Sequence, residues 1–142
     1  MDLNVLIADD SIVMRTIILK TLRLSGVPLL EVFTADRGDE ALRIVVEKHI
    51  DVAFVDLHMP VLSGEEVINR IRENPKTANL PIIVVSAEGN EARIDSLRRM
   101  GVGFIHKPFM PEALRDEILR LTRIPNGETD APRAVSSNRA AS

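Results

Sequence analysis

A chain of 142 residues with 45 % hydrophobic and 27 % charged residues has the size and balance of one globular domain, and with no cysteine it must build its core without disulfides. A net charge of −3 supplies no strong field toward nucleic acid or an anionic membrane, and the lack of Trp and Tyr leaves almost no stacking platform for single strands. No apolar run approaches the roughly 20 residues of a membrane span, and the start Met1-Asp2-Leu3-Asn4 lacks the basic residues of a secretory signal, so a soluble cytoplasmic protein is expected.

Short apolar runs alternate with longer amphipathic ones along the chain. Val5-Leu6-Ile7-Ala8 reads as a strand buried on both faces. A helix follows from about Ser11, with Met14, Ile17, Ile18 and Leu22 on one stripe, and ends near Ser25-Gly26 with Pro28 beyond. Leu29 to Phe33 is a second strand, and Ala41, Leu42, Val45 and Val46 mark a second helix. Val52 to Val55 is a third strand that ends at Asp56. Gly64 opens a third helix carrying Val67, Ile68 and Ile71, which stops before Pro75. Ile82 to Val85 is a fourth strand ending at Ser86; the fourth helix carries Ile94, Leu97 and Met100 and stops at Gly101. Phe104-Ile105 marks a short fifth strand, and Pro111 starts a fifth helix with Leu114, Ile118 and Leu121 facing inward. Five strands alternating with five helices predict an α/β fold, a parallel sheet covered on both faces, with ligands at the carboxyl ends of the strands. From Pro125 onward the composition turns to Ala, Ser, Asn, Gly and Pro, with Val135 the one large apolar residue. The expected organisation is therefore a domain over residues 1–124 and a flexible tail over residues 125–142.

The residues just past each strand carry the chemistry. Strand one delivers Asp9 and Asp10, strand three Asp56, strand four Ser86, and strand five Lys107 followed by Pro108. On one rim, three carboxylates repel one another and raise each other's pKa values. A divalent cation removes that penalty, and a carboxylate-rich set without cysteine favours a hard ion such as Mg²⁺. The lysine adds a positive point charge for a carboxylate or phosphoryl oxygen, and Ser86 adds a hydroxyl donor. Such a set suits phosphoryl transfer to a carboxylate, where the protein chiefly positions groups and neutralises charge. Helix capping alone would need only one of Asp9 and Asp10. Gly101-Val102-Gly103 precedes a strand and lacks a third glycine, so it reads as a helix stop and not a dinucleotide loop. His49, at the end of the second helix, and His106, pointing away from Lys107, are read as packing or surface residues.

Taken together, Ile7-Ala8-Asp9-Asp10-Ser11, Val55-Asp56-Leu57-His58-Met59-Pro60 with Gly64, Val84-Val85-Ser86-Ala87 and His106-Lys107-Pro108-Phe109 resemble the motifs of the CheY-like receiver domains of bacterial response regulators, over about Leu3 to Arg123. The resemblance implies a doubly wound, flavodoxin-like five-stranded sheet of order 2-1-3-4-5. It implies Asp56 as phospho-acceptor and a Mg²⁺ site made by Asp10 directly, Asp9 partly through water, Asp56 itself and the backbone carbonyl of His58. It likewise implies Ser86 as the hydroxyl that swings to the phosphoryl group, Lys107 as the invariant lysine with a cis bond to Pro108, and Phe104 as the aromatic switch. Phe104 has no phenolic hydroxyl, so its signal must travel by packing.

The implied partners are a sensor histidine kinase or a histidine phosphotransfer protein, and a downstream protein on the face of the fourth helix, fifth strand and fifth helix. On that face Arg93, Arg98 and Arg99 are expected to be exposed and to suit an acidic partner. A phosphorylation-dependent dimer belongs to the same set of expectations; nucleic acid and membrane do not. The chemistry expected is self-phosphorylation from a donor and slow self-hydrolysis, not enzymatic turnover. The tail is too short for an output domain, which leaves a chemotaxis-type regulator or a carrier in a phosphorelay. His58 departs from the commonest choice two residues after the acceptor: either its carbonyl alone matters, or its imidazole alters the attacking water and with it the pH dependence of the phosphoryl lifetime. Two other functions are weighed. A phosphatase of the haloacid dehalogenase type needs a second Asp where this chain has His58, and a phosphorylation-independent scaffold would not need the acidic set.

Overall fold

A computed structural model describes residues 2–122. The expected boundary at residue 124 and the expected tail over residues 125–142 lie outside the described residues. In chain order the elements are β1 (Leu3–Ala8), α1 (Ile12–Ser25), β2 (Leu29–Ala35), α2 (Gly38–Glu47), β3 (Val52–Val55), α3 (Gly64–Glu73), β4 (Ile82–Ser86), α4 (Glu91–Arg98), β5 (Gly103–His106) and α5 (Pro111–Thr122). The strands form one parallel sheet of order β2-β1-β3-β4-β5, the expected order.

Successive side chains of a strand point to opposite faces, and the three central strands are buried on both. Val5 and Ile7 of β1, Val52 and Phe54 of β3, and Ile83 and Val85 of β4 pack toward α1 and α5, with Ile18, Leu22, Leu114 and Ile118. Leu6 and Ala8, Ala53 and Val55, and Ile82 and Val84 pack toward α2, α3 and α4. These continuous apolar runs therefore feed two cores, one on each side of the sheet. Full burial of a side chain such as Phe54 contributes about 1.5–3 kcal/mol. β2 lies at the sheet's edge and leaves Leu30 exposed.

Helix ends are set by local chemistry. Ser11 caps α1, its Oγ accepting from the Met14 N–H at 3.1 Å, and Gly26 closes that helix in the left-handed region at φ 82°. Ser63 and Glu66 form a reciprocal capping box at α3, and Asn90 caps α4. Two residues depart from the periodicity. Ile17 and Val46 stand at 42 % and 62 % exposure. The buried stripe of α1 runs through Ile18, Thr21, Leu22 and Ser25, and that of α2 through Ala41, Ile44 and Val45. Ile17 and Val46 sit on the flanks of these stripes, one helical step (about 100°) from a buried neighbour.

Arg72, in the last turn of α3, ties together the segment that leads into β4 and the residues that follow α4. Its guanidinium donates to the carbonyls of Met100 at 2.9 Å, Ala78 at 3.0 Å, Leu80 at 2.8 Å and Gly101 at 3.1 Å. Burial lowers its pKa from the usual arginine value, because no carboxylate offsets the lost hydration. One side chain thereby joins the approach to β4 to the end of α4 through four hydrogen bonds. Arg72→Met keeps much of the apolar stem and strips four carbonyls of their donor; we expect a loss of about 2–3 kcal/mol in urea unfolding, with the sheet retained by circular dichroism.

Candidate functional site

Register brings the expected residues together. Ala8 of β1 stands opposite Val55 of β3, so the residues that follow, Asp9 and Asp56, emerge side by side, and the Asp56 N–H donates to the Ala8 carbonyl at 2.9 Å. Ser86 of β4 stands opposite His106 of β5, and the Lys107 N–H donates to the Ser86 carbonyl at 2.9 Å. The chain leaves β1 for α1 on one face and returns from β2 through α2 on the other. A crevice opens where the connections diverge, at the carboxyl ends of β1 and β3. It is an open cleft of about 390 Å³ lined by Asp9, Asp10, Asp56, Ser86, Glu88 and Lys107, together with Ser11, Met14, His58 and Ala87.

Asp9 is buried; its Oδ1 accepts from the Ser11 N–H at 2.9 Å, and its Oδ2 has no hydrogen-bond partner. The Lys107 ammonium lies 3.7 Å from that oxygen and 3.4 Å from Asp56 Oδ1. Asp56 is 8 % exposed, and its Oδ2 accepts from the His58 N–H at 3.2 Å. Asp10 is exposed. One oxygen from each of Asp9, Asp10 and Asp56 falls within 4.8 Å of the others. Burial raises the pKa of Asp9 above the ordinary carboxylate value; the Ser11 N–H opposes that rise, Asp56 adds to it, and Lys107 opposes it.

The backbone beneath the acids has no slack. Gly64 donates to the Leu57 carbonyl at 2.9 Å, and a Cβ at this position would overlap the carbonyl oxygen of Asp56. The loop between them holds Val61 at φ 71°, a left-handed conformation that is strained for a β-branched residue. The Lys107–Pro108 bond is cis, as expected. Ser86 is buried, and its Oγ accepts from the Glu88 N–H at 3.0 Å. Phe104 is buried, with the Arg98 guanidinium 6.0 Å above its ring and its own N–H donating to Glu117 Oε2 at 3.0 Å.

One expectation is corrected. Arg93 is not a free charge awaiting an acidic partner. It is half-buried, its Nη2 donating to Glu65 at 2.8 Å and its Nη1 3.6 Å from Glu88. The first turns of α3 and α4 meet at the same rim, and both glutamates fall within reach of the guanidinium. Arg98 and Arg99 are exposed as expected. His49 lies just past α2 instead of on it, its Nε2 3.0 Å from Asp51 Oδ1, and His106 is exposed. Ser11 and Glu88 are the cleft residues whose contacts the sequence reading did not assign. The position of Ser11 as helix cap signals its N–H for Asp9, and Ser86 signals the Glu88 N–H through the local turn that a serine hydroxyl makes two residues on.

Comparison with known proteins agrees with this geometry. The family model for the response regulator receiver domain matches residues 5–119. A chemotaxis protein CheY homolog of Campylobacter jejuni is 32 % identical over 128 residues, covering 89 % of this chain and 97 % of that protein. Chemotaxis protein CheY1 of Helicobacter pylori is 30 % identical, covering 82 % and 94 %. The solved structure of CheY4 from Vibrio cholerae superposes with a TM-score of 0.74 at 32 % identity, covering 85 % of this chain and 99 % of that one.

The raised pKa of Asp9 has a consequence for stability. A carboxyl that holds its proton more tightly folded than unfolded makes the native state the better proton binder, so stability falls as pH rises from the unfolded value through the folded one. In chelator-treated protein, Asp9→Asn keeps the acceptor for the Ser11 N–H and removes the buried charge; we expect a gain of about 0.5–2 kcal/mol at pH near 7, shrinking below about pH 4, in thermal melts.

Proposed function

The chain belongs to the response regulator receiver family, signalling proteins of two-component systems, and on that basis we propose that its cleft takes a phosphoryl group on Asp56 from a phosphohistidine partner. The observation that carries this reading is the setting of Asp56. It is the acid at the centre of the cleft, with Lys107 on one oxygen, the His58 N–H on the other, and Asp9 and Asp10 beside it. An Asp56 oxygen attacks phosphorus as the phosphorus–nitrogen bond breaks, the electron pair leaving with the donor imidazole. Lys107 offsets charge on the incoming group, and Ser86 offers its hydroxyl to a phosphoryl oxygen. Water later cleaves the acyl phosphate and restores the carboxylate.

The residues present fit Mg²⁺. Their ligand atoms are all carboxylate oxygens, and the buried Oδ2 of Asp9 lacks a hydrogen-bond donor. Asp9, Asp10, Asp56 and the backbone carbonyl of His58 would hold it, and when bound the ion neutralises carboxylates and phosphoryl oxygens together. His58 is exposed and serves through its backbone. Four exposed apolar side chains, Ile12, Val13 and Ile17 on α1 and Met110 between β5 and α5, follow closely in sequence on Asp10 and Lys107. They support a protein donor, a sensor histidine kinase or histidine phosphotransfer domain, over a small phosphate ester. The output runs through Ser86 and Phe104 to the face of α4, β5 and α5, where Arg98 and Arg99 suit an acidic partner in chemotaxis-type control or a phosphorelay. Among the described residues no helix is long and apolar enough to cross a membrane.

Asp56→Asn should abolish acid-labile phosphate uptake from a phosphohistidine donor, read by mass spectrometry; uptake at the wild-type rate would assign the acceptor elsewhere. At Mg²⁺ a hundredfold above its dissociation constant the wild type should gain about 2.7 kcal/mol in thermal melts, and Asp10→Asn should lose most of that gain. His58→Asn should leave the decay of phospho-Asp56 with the wild-type profile between about pH 6 and pH 8.

A further inference from the structure

The loop that carries Ser86 is held by a closed ring of contacts. Ser86 Oγ accepts from the Glu88 N–H at 3.0 Å, and Glu88 Oε2 accepts from the Asn90 N–H at 3.0 Å. Asn90 Oδ1 caps α4 by accepting from the Arg93 N–H at 3.0 Å. The Arg93 guanidinium then returns to Glu88 Oε1, 3.6 Å away, and extends to Glu65 Oε1 at 2.8 Å. Glu65 follows Gly64, the residue seated against the Asp56 carbonyl. Arg93 Nε is buried without an acceptor, so the side chain sacrifices one hydrogen bond to keep its fork on both glutamates. One cation thus spans the first turn of α3, the loop after β4 and the first turn of α4.

For Ser86 Oγ to turn toward a phosphoryl group on Asp56, either its bond from the Glu88 N–H breaks or the loop follows it. The loop is tied through Glu88 and Asn90 to α4, and through Arg93 to α3. We propose that Arg93 is a positioning residue, a latch that holds the Ser86 loop in its resting place and sets how much stabilisation phosphorylation must supply to switch the protein. The latch rests on Asp56 as acceptor for its trigger but not for its existence. Both ion pairs are partly exposed, at 35 % for Arg93 against 42 % for Glu65 and 21 % for Glu88. Salt and competing groups can therefore loosen them, which suits a latch and not a permanent weld.

The test is titration of the full chain with beryllofluoride and Mg²⁺, followed by amide NMR. Arg93→Gln removes a positive charge beside the cleft, so a simple field effect weakens binding of the anionic probe. Release of the latch does the opposite, and we expect binding about two- to fivefold tighter. Glu65→Gln should tighten it similarly, and the double variant should be no tighter than either single one, since both break one device. Without the probe, the amides of Ser86 to Asn90 should move toward their probe-bound positions in each variant, and circular dichroism melts should stay cooperative. Unchanged or weaker binding in Arg93→Gln, additive effects, or probe-free spectra identical to wild type would overturn the latch. If the wild type fails to bind beryllofluoride, the assignment of Asp56 falls, and the latch is decided by whether the amides of Ser86 to Asn90 shift from their wild-type positions in Arg93→Gln and Glu65→Gln, identical spectra overturning it.

Discussion

Buried negative charge at the edge of a parallel sheet organises this protein. Asp9 and Asp56 stand where two central strands end, with almost no exposure to water, and Asp10 adds a third charge beside them. Carboxylates so placed repel one another and lose hydration, and the rise in the Asp9 pKa is the measure of that cost. The fold offsets part of it with donors that cannot move away: the Ser11 N–H on Asp9, the His58 N–H on Asp56, and Lys107 between the two acids. What remains, including an oxygen of Asp9 with no hydrogen-bond donor, suits the cleft to a dication.

The surroundings of the acids show how the rest of the molecule serves that arrangement. Two apolar cores clamp the sheet from either side, so the strand ends hold their spacing. Gly64 lets α3 approach the Asp56 carbonyl, and the intervening loop accepts a left-handed Val61 to make that approach. The left-handed Val61 and the unpaired Oδ2 of Asp9 both lie at this rim. The opposite ends of α3 and α4 are quiet by comparison, locked by Arg72 on four carbonyls. At the N-terminal turns of α3 and α4, Arg93 joins Glu65 to Glu88 instead, through ion pairs that are partly exposed.

Contacts between adjacent elements explain where sequence reading departs from the structure. Ile17 and Val46 satisfy a helical period yet remain exposed, because a stripe's width is decided by the shape of what packs on it. Arg93 reads as a solvated charge on a polar helix, and its two partners lie 28 and 5 residues away in loops and turns whose meeting depends on tertiary packing. The Glu88 N–H on the Ser86 hydroxyl, by contrast, is a local bond two residues on, of the kind serine makes in turns.

Periodicity, capping residues and the acids placed after apolar runs determined, by themselves, the alternation of five strands and five helices and the placing of Asp9, Asp10, Asp56, Ser86 and Lys107 just at the strand ends. Those features are local: a strand's burial and a helix's cap are written in neighbouring residues. The tertiary structure alone decided the orphaned oxygen of Asp9, the approach of Lys107 to Asp56, and the bridge from Arg93 to Glu65. Each depends on distances between segments far apart in the chain, and such distances are settled only when both cores have packed and the strand register is complete.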